Sequence, residues 1–431
     1  MRVTDIVLIF WQILMLGLLP HSIANKRIRI SFTLITSSLL LLHLVLENYH
    51  WQMIPTYLSL LLTFWLIIRP TAISANLTLL KKISLIFITI VMIVPVTLFP
   101  VVQFDSPTGS FIVGKRSISF THLETQDLSF DHLPQRQLKL QIYYPATAKT
   151  SQMASYLPNS NDFPSAFGTR VFPNFLFSHY KLIHTNAYTD APYYEGTSQF
   201  PLLIFSGGGQ QNTFQLVEMA SHGFIIIEID HTRKSQTSGK NHLFPVASQG
   251  KLTPSSCLDK RVSRWEAEIK FVLDSLSSNK LASITSIADR HRIGVMGYSE
   301  GGTAATQALI HDSRLKAGIN LDGPILDNQQ GVDFSKPYLL LNASSTSTGP
   351  SKPINVTNWL NGEDSLAITI PNSNHLSFTD LGAASFLLNQ PGADPFELYR
   401  DINRYSLNFF TKHLQNVIVF DNKRPVIAFS E

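Results

Sequence analysis

The sequence predicts an α/β protein whose mostly parallel, doubly wound sheet lies behind an N-terminal α-helical transmembrane bundle. Three observations predict this class. Apolar residues crowd into the first hundred of the 431 positions. Beyond about residue 108, short β-branched and aromatic runs alternate with stretches of helical periodicity, which is typical of a parallel sheet covered by helices. One strand-like run leads through a serine between two glycines into a helical stretch.

Four apolar runs lie in the first hundred residues, near 4–20, 28–46, 53–68 and 83–102. Each approaches the roughly 20 residues that a helix needs to cross a bilayer. We therefore expect a four-span membrane anchor over residues 1–103 and a second domain over residues 104–431. A channel or transporter is the alternative. Apart from Asp5 and Arg29 near the ends of two runs, however, the runs contain almost no ionisable residue except His43, and intramembrane charges usually mark a transport path.

The charges in the short loops predict the orientation of the spans. Basic residues lie between the first two runs and between the last two, whereas the middle loop has Glu47 and no Lys or Arg. Because basic loops stay in the cytoplasm, everything after residue 102 is expected outside. We expect a multi-pass protein of the inner cell membrane with an extracytoplasmic second domain. The alternative, a cleaved signal peptide over residues 1–24, would have only Arg2 in its charged region.

Composition excludes several function classes. The net charge of +4 is small for this length and no basic stripe is present, so nucleic acid is not an expected partner. Cys257 is the only cysteine, which excludes an intrachain disulfide and a cysteine-based metal site.

Eight strands and four long helices are predicted in the second domain. The strands cover 110–120, 137–144, 201–206, 223–229, 292–296, 315–321, 337–342 and 365–370, and the helices cover 211–221, 262–277, 301–311 and 395–414. The first two strands are expected to pair antiparallel and the next six to be parallel, which is the order of the α/β-hydrolase fold. Two long segments, 146–200 and 231–260, are possible lids. For the aromatic-rich first segment, a hydrophobic subcore is the alternative.

A candidate nucleophile, Ser299, lies in the sequence Gly297-Tyr298-Ser299-Glu300-Gly301. This pattern is weak evidence alone, but here it joins a predicted strand to a predicted helix, as a nucleophile elbow requires. Glycine at positions 297 and 301 removes the Cβ atoms that would clash in so tight a turn. We therefore expect the Ser299 hydroxyl to project above the sheet. The alternative is a glycine-rich turn that carries a solvated serine.

Serine is a poor nucleophile unless a base lies beside it. His375 follows the last predicted strand, where this fold places its base. Asp322 ends a predicted strand, whereas the loop after the next strand, 342–344, offers no acid. Asp322 is therefore the expected acid that orients the imidazole, with a simple turn aspartate before Gly323 as the alternative. Five other histidines are expected to be surface or capping residues: His222, His231, His242, His311 and His413.

The tetrahedral intermediate of acyl transfer needs backbone N–H donors for its oxyanion. One expected donor is the N–H of Glu300, directly after the nucleophile. The other is expected after the predicted strand 201–206, where Gly209 or Gln210 lies in a glycine run that permits close approach of the backbone. The alternative is that these glycines form only a flexible turn.

Between about residues 108 and 415, the chain resembles the platelet-activating factor acetylhydrolase family of α/β-hydrolases. The motifs that carry the resemblance are Gly-Ser-Phe-Ile-Val-Gly at 109–114, Gln-Ile-Tyr-Tyr-Pro-Ala at 141–146, Ala-Ser-His-Gly-Phe at 220–224, Asn-Leu-Asp-Gly at 320–323, and His375 followed by Phe378 and Asp380. The resemblance implies Ser299 as nucleophile, Asp322 as acid and His375 as base. It also implies short or oxidised acyl groups of phospholipids as the substrate.

The chain departs from the family pattern at two places. Gly207 follows Phe205-Ser206 where the family usually has a histidine. Tyr298 and Glu300 flank the nucleophile where the family has histidine and an aromatic residue. The resemblance therefore does not assign the oxyanion donor or the acyl pocket.

These expectations describe a membrane-anchored serine carboxylic ester hydrolase that acts through an acyl-enzyme. Its substrate is an ester or phospholipid, and no cofactor or metal is expected. Within enzymes, the alternatives are a general short-chain or polyester esterase and an acyltransferase. From another class, the alternative is a catalytically inactive extracytoplasmic ligand-binding module. Candidates for all three triad roles favour the enzyme.

Overall fold

The computed structural model describes residues 2–22, 25–68, 79–123, 135–156, 174–196, 199–207, 211–231, 233–234, 241–242, 254–326, 329, 335–345, 364–385 and 388–415. The chain forms two compact units, which are described separately. The helical unit comprises Met1–Gln103, Phe172–Ile183 and Ala384–Leu387. The sheet unit comprises Phe104–Val171, His184–Ala383 and Leu388–Glu431.

In its described part, the helical unit contains four α-helices: α1 (Val3–Ser22), α2 (Lys26–Leu46), α3 (Ile54–Ile68) and α4 (Leu79–Leu98). They coincide with the four apolar runs of the sequence. Two described stretches, Lys26–Leu46 and Trp51–Ile68, are long and apolar enough to cross a membrane. The other two apolar stretches, Val3–Leu18 and Lys82–Leu98, are shorter. The structure thus provides two candidate spans where the sequence predicts four.

Polar side chains of the helical unit pack inward, and many apolar ones face outward. Gln12 of α1 is fully buried and donates to the hydroxyls of Ser59 and Thr63 on α3, at 2.7 and 2.8 Å. Leu58 and Leu61 of α3 are 61% and 65% exposed. The outward-facing apolar side chains suit helices whose outer surface meets lipid.

Among the described residues of the sheet unit there are eleven strands: β1 (Ile112–Leu123), β2 (Gln135–Ala146), β3 (Ala187–Thr189), β4 (Phe200–Gly207), β5 (Ile225–Asp230), β6 (Arg233–Lys234), β7 (Asn241–His242), β8 (Ala288–Tyr298), β9 (Leu315–Leu321), β10 (Tyr338–Ala343) and β11 (Ser365–Ile370). Nine of these described strands form one sheet in the order β11-β10-β9-β8-β4-β5-β2-β1-β3. The other two, β6 and β7, pair with each other.

The pairing directions confirm the predicted strand order. Strand β2 pairs antiparallel with both β1 and β5, and the series β5, β4, β8, β9, β10 and β11 is parallel throughout. Two antiparallel strands followed by six parallel ones make an α/β-hydrolase fold. The added edge strand β3, parallel to β1, was not predicted, because three residues are too few to show a periodicity.

Five α-helices occur in the described part of the sheet unit: α5 (Thr213–Ser221), α6 (Pro254–Asp274), α7 (Ala282–Thr285), α8 (Glu300–His311) and α9 (Pro395–Phe410). Helix α6 packs against α8, and α5 packs against α9. Helix α6 begins at Pro254, well before the predicted start at residue 262. Proline is favoured at the first position of a helix, but the polar residues that follow it show no apolar periodicity.

The centre of the sheet fixes the position of the site. Every residue of β4 is buried, as are the last six residues of β8, because parallel strands are covered on both faces. Parallel strands present their carboxyl ends at the same edge of the sheet. Ser299 follows β8, Asp322 follows β9 and His375 lies in the loop after β11, so the sheet brings these residues to one edge.

Candidate active site

Ser299 occupies a strained turn between β8 and α8. Its φ and ψ angles are 56° and −129°, a conformation that non-glycine residues rarely adopt. The backbone N–H groups of Gly302 and Thr303 donate to its carbonyl oxygen at 2.9 and 3.2 Å, which starts the helix. A Cβ atom added to Gly297 or Gly301 would overlap the backbone of this turn and the carbonyl of Ser206. The two glycines therefore permit the turn that exposes the hydroxyl.

The structure brings Ser299, His375 and Asp322 together. His375 Nε2 lies 2.9 Å from Ser299 Oγ, and His375 Nδ1 lies 2.6 Å from Asp322 Oδ2. The Asp322 side chain is 1% exposed, whereas the imidazole is 44% exposed and Ser299 is half-buried. A substrate can therefore reach the hydroxyl and the imidazole, while the carboxylate is shielded from water.

Asp322 is held by the strand ends around it. Its φ angle is 53°, its N–H donates to Leu341 O at 2.8 Å, and its Oδ1 accepts from Ala343 N at 2.8 Å. Its other carboxylate oxygen, Oδ2, faces His375. The Gly323 N–H donates to the Asn320 side chain at 2.8 Å, which closes the turn after β9. These bonds aim one carboxylate oxygen at the imidazole.

Tyr298 holds the backbone of the histidine loop. Its hydroxyl donates to the carbonyl oxygen of His375 at 3.0 Å, and the two rings lie 4.8 Å apart between centroids. Burial first, and then the charge of Asp322, raise the pKa of Tyr298 well above its ordinary value, so the hydroxyl stays a donor. The sequence identifies Tyr298 only as a departure from the family pattern beside the nucleophile. No sequence signal pointed to this bond with the histidine loop.

Of the three residues expected to supply oxyanion donors, the structure describes Glu300. Glu300 is the first residue of α8, so its N–H has no acceptor within the helix. Its carboxylate accepts two hydrogen bonds from the Arg261 guanidinium, at 2.8 and 2.5 Å, which fixes the start of the helix. Gly209 and Gln210 lie outside the described residues.

His231 is not the surface or capping residue that the sequence suggested. It is 1% exposed, and its Nε2 lies 2.9 Å from the hydroxyl of Ser206, at the end of β4. Its Nδ1 is hydrogen-bonded to buried Glu268, and its ring stacks on Trp265 at 4.3 Å. Both partners lie on α6, more than 30 residues away in sequence, so local pattern could not reveal them. This buried network supports the strand end that leads into the expected oxyanion loop.

Asp380 connects the histidine segment to the start of α5. Its carboxylate accepts from Thr213 N at 2.8 Å, Phe214 N at 3.1 Å and the Tyr156 hydroxyl at 3.0 Å. Burial raises its pKa from 3.8 to about 6, against the opposing effect of these hydrogen bonds. Burial likewise lowers the pKa of nearby Lys115, while the charges of Glu228 and Asp380 oppose that change.

The described aromatic residues of the possible lid segment 146–200 differ in burial and belong to both units. Tyr156 is buried in the sheet unit and Tyr180 is buried in the helical unit, whereas Phe175 is 57% exposed. Phe163, Phe167 and Phe172 lie outside the described residues. Of the 231–260 segment, residues 254–260 belong to α6.

A cavity of about 340 Å³ in the sheet unit does not contain the three residues at the sheet edge. It lies between the segment that starts at Phe104, helix α5 and helix α9, and Phe214, Phe396 and Arg400 are among its lining residues. This cavity is thus distinct from the carboxyl edge of the sheet, where Ser299, Asp322 and His375 lie.

Comparisons with known proteins agree with this fold. The family model "Platelet-activating factor acetylhydrolase, isoform II" matches residues 96–244 and 262–427. The platelet-activating factor acetylhydrolase of Cavia porcellus is 25% identical over 320 residues, which cover 64% of this chain and 72% of that protein. The Bos taurus protein of the same name is 26% identical over 338 residues, covering 67% and 74%.

A solved structure shares the fold. The ferulic acid esterase from Streptomyces cinnamoneus matches with a TM-score of 0.59 at 22% identity, covering 75% of this chain and 96% of its own. Ser299, Asp322 and His375 all lie within the second segment that the family model matches. The chain belongs to the platelet-activating factor acetylhydrolase, isoform II family, and it is an ester hydrolase.

Proposed function

We propose that the protein is a serine carboxylic ester hydrolase in which Ser299 is the nucleophile, His375 the general base and Asp322 the orienting acid. The observation that carries the proposal is the continuous hydrogen-bonded series from Asp322 through His375 to the Ser299 hydroxyl. This arrangement meets the geometric requirement for an activated serine, with a base within reach of the nucleophile and a third group within reach of the base.

The reaction proceeds in two acyl-transfer steps. Ser299 Oγ attacks the ester carbonyl carbon while its proton passes to His375 Nε2, and the buried Asp322 carboxylate stabilises the imidazolium. The intermediate collapses, the C–O bond of the ester breaks, and His375 gives its proton to the departing alcohol. Water, activated by the same imidazole, then attacks the acyl-enzyme and releases the carboxylic acid.

Two backbone amides are proposed to stabilise the oxyanion. The Glu300 N–H at the start of α8 is one, and the helix dipole adds to its effect. The second is the N–H of Gly209 or Gln210. Where one such donor has been removed from another serine hydrolase, the loss was about 3 kcal/mol of transition-state stabilisation.

The proposed substrates are phospholipids with a short or oxidised acyl group. The curated relatives support this class, because their name specifies an acetyl ester of platelet-activating factor. We assign the chain to phospholipid ester hydrolysis rather than to general short-chain esters or to acyl transfer. No cofactor takes part in the proposed reaction.

We further propose that residues 1–103 form a four-helix membrane anchor and that residues 104–431 form an extracytoplasmic catalytic domain on the inner membrane. Two stretches of spanning length and the inward-facing polar side chains support the anchor. The basic loops, represented by Arg27 and Arg69, support the orientation. An anchored site would meet phospholipid in the same membrane.

The test is a kinetic comparison on the full chain in detergent. Hydrolysis of a soluble p-nitrophenyl acetate and of a phospholipid with an sn-2 acetyl group is measured for the unmutated chain, Ser299→Ala and the exposed control Ser286→Ala. Ser299→Ala should lose roughly 1,000-fold or more in kcat, whereas the control should keep its activity. Undiminished turnover by Ser299→Ala would refute the nucleophile.

The same panel distinguishes the alternatives. A preference for the soluble p-nitrophenyl acetate over the acetyl phospholipid would contradict the substrate class. Transfer of the acyl group to an added alcohol in preference to water would indicate an acyltransferase. Absence of all turnover together with tight binding of a phospholipid would indicate a ligand-binding module.

A further inference from the structure

We infer that the helical unit binds a zinc ion between Asp5, His43 and His50. Asp5 lies in the first turn of α1, His43 in the last turn of α2, and His50 directly before the short 3-10 helix Trp51–Met53. The three residues are 1%, 0% and 3% exposed, although each carries an ionisable side chain. This inference is independent of the proposed ester chemistry. The sequence drew attention only to His43.

The distances between these side chains fit a shared cation. Asp5 Oδ1 lies 3.5 Å from His43 Nδ1 and 3.5 Å from His50 Nε2, and the candidate ligand atoms all lie within 4.8 Å of one another. Hydrogen bonds between nitrogen and oxygen are shorter than this. Ligands bound to zinc at about 2.0–2.2 Å with tetrahedral angles lie roughly 3.3–3.5 Å apart. The two distances from Asp5 Oδ1 to the imidazole nitrogens are therefore those of atoms that share one ion.

Two of the candidate ligand atoms have no other partner. Within the part of the chain that the structure describes, neither Asp5 Oδ1 nor His50 Nε2 has a hydrogen-bond partner, and both atoms are buried. A buried polar atom without a partner is destabilising, and a charged one is more so. A cation between Asp5 and His50 would satisfy both atoms at once.

In each imidazole, the nitrogen that does not face Asp5 has a hydrogen-bond partner. His50 Nδ1 lies 3.2 Å from the backbone carbonyl of Asn48, so it donates there and leaves a lone pair on Nε2. His43 Nε2 lies 2.7 Å from the Tyr57 hydroxyl, which allows its Nδ1 to face Asp5 without a proton. Metal-bound histidines typically use their second nitrogen in this way.

The ligand set indicates the class of metal. Two imidazoles and one carboxylate suit zinc, whereas magnesium and calcium prefer oxygen ligands alone. The Thr4 hydroxyl lies 3.1 Å from His43 Nδ1, at the same end of the unit, and this hydroxyl or a water would supply the fourth ligand. Because the ligands come from α1, α2 and the segment before α3, the ion would tie three segments together.

The test measures zinc itself. The full chain, purified in detergent with a histidine-free tag, is mixed with one equivalent of Zn²⁺, freed of excess ion by gel filtration, and measured by mass spectrometry of the metal. One zinc per chain is expected. Loss of a hydrogen bond to a metal-bound histidine lowers metal affinity roughly 10- to 100-fold. Asp5→Asn and His50→Gln each change a proposed ligand itself, so each should lower zinc affinity by more than about 100-fold. Tyr57→Phe removes the hydrogen bond to His43 Nε2 and should lower zinc affinity roughly 10- to 100-fold.

Two controls keep the result interpretable. His291→Gln removes an exposed histidine of the sheet unit and should retain one zinc per chain. If the ligand variants do not fold, X-ray absorption at the zinc edge of the unmutated chain decides, and imidazole nitrogen and oxygen at about 2.0–2.2 Å without sulfur are expected. An unmutated chain without stoichiometric zinc would show that the cluster is only a set of buried ion pairs. Unchanged binding by Asp5→Asn and His50→Gln would also overturn the inference.

Discussion

The hydroxyl of Tyr298 donates a hydrogen bond to the backbone carbonyl of His375, so the residue before Ser299 holds the loop whose imidazole contacts Ser299. The donor is buried and its pKa is raised, so it remains protonated across the working pH range. Two hydrogen bonds therefore join the turn at Ser299 to the loop that carries His375: one from the Tyr298 hydroxyl and one between Ser299 and the imidazole.

Tyr298→Phe removes this donor and keeps the ring. We expect kcat for ester hydrolysis to fall about 5- to 10-fold with little change in KM, because one hydrogen bond is worth about 1 kcal/mol and substrate binding is not affected directly. Steady-state kinetics with Tyr405→Phe on α9 as control provide the measurement. A loss of thermal stability with unchanged kcat would show that the bond is only structural.

His231→Ala tests the buried network at the end of β4. The substitution removes one partner of Ser206 and one of Glu268, and disruption of a buried pair is strongly destabilising. We expect a loss of about 2–4 kcal/mol in the free energy of unfolding. His311→Ala is the matched control, because His311 also pairs with a glutamate but its side chain is 58% exposed, and we expect less than about 1 kcal/mol there. Equal effects of the two substitutions would contradict the buried role of His231.

Asp380→Asn tests the pH dependence that its raised pKa implies. Because the pKa is 3.8 ordinarily and about 6 in the folded chain, the folded state binds the proton more tightly than the unfolded state. The stabilisation is therefore full below about pH 3.8 and is lost as pH rises through about 6, by up to about 3 kcal/mol. The asparagine variant cannot ionise, so its stability should depend less steeply on pH over this window. Parallel pH curves for the two proteins, from thermal unfolding in detergent, would contradict the shift.

Gly301→Ala tests the tight packing of the elbow. An added Cβ would overlap the Ser206 carbonyl, so we expect a strongly destabilised or inactive enzyme. Gly17→Ala on α1 is the control, because no other described part of the chain, its own helix backbone aside, lies within 4 Å of the added Cβ, and alanine favours the helix by about 1 kcal/mol. Melting temperature and esterase activity of both variants are the measurements. Normal activity in Gly301→Ala would show that the turn relaxes around the methyl group.

Sequence reasoning predicted best those features that depend on neighbouring residues. The strand order and the turn at Ser299 follow from apolar runs and from glycines at fixed positions, and strand ends pointed to Asp322 and His375. The buried state of His231 depends on Trp265 and Glu268, which a local pattern cannot connect to it. The edge strand β3 is too short for any periodicity.

The helical unit shows the same limit. Its four helices follow from the apolar runs, but the cluster of Asp5, His43 and His50 joins three separate segments. In the hydropathy pattern, Asp5 and His43 are only interruptions of apolar runs, and His50 lies between two runs. Their proximity depends on how the helices pack, and that packing involves polar contacts such as Gln12 with Ser59.

The most direct measurement of the central claim is the location of a covalent adduct. The full chain in detergent is treated with a fluorophosphonate, digested, and analysed by peptide mass spectrometry, while residual ester hydrolysis is followed in parallel. We expect one adduct per chain on Ser299, with activity lost in proportion to labelling. An adduct on another residue that accounts for the loss of activity, or full activity with Ser299 completely labelled, would contradict the proposed mechanism.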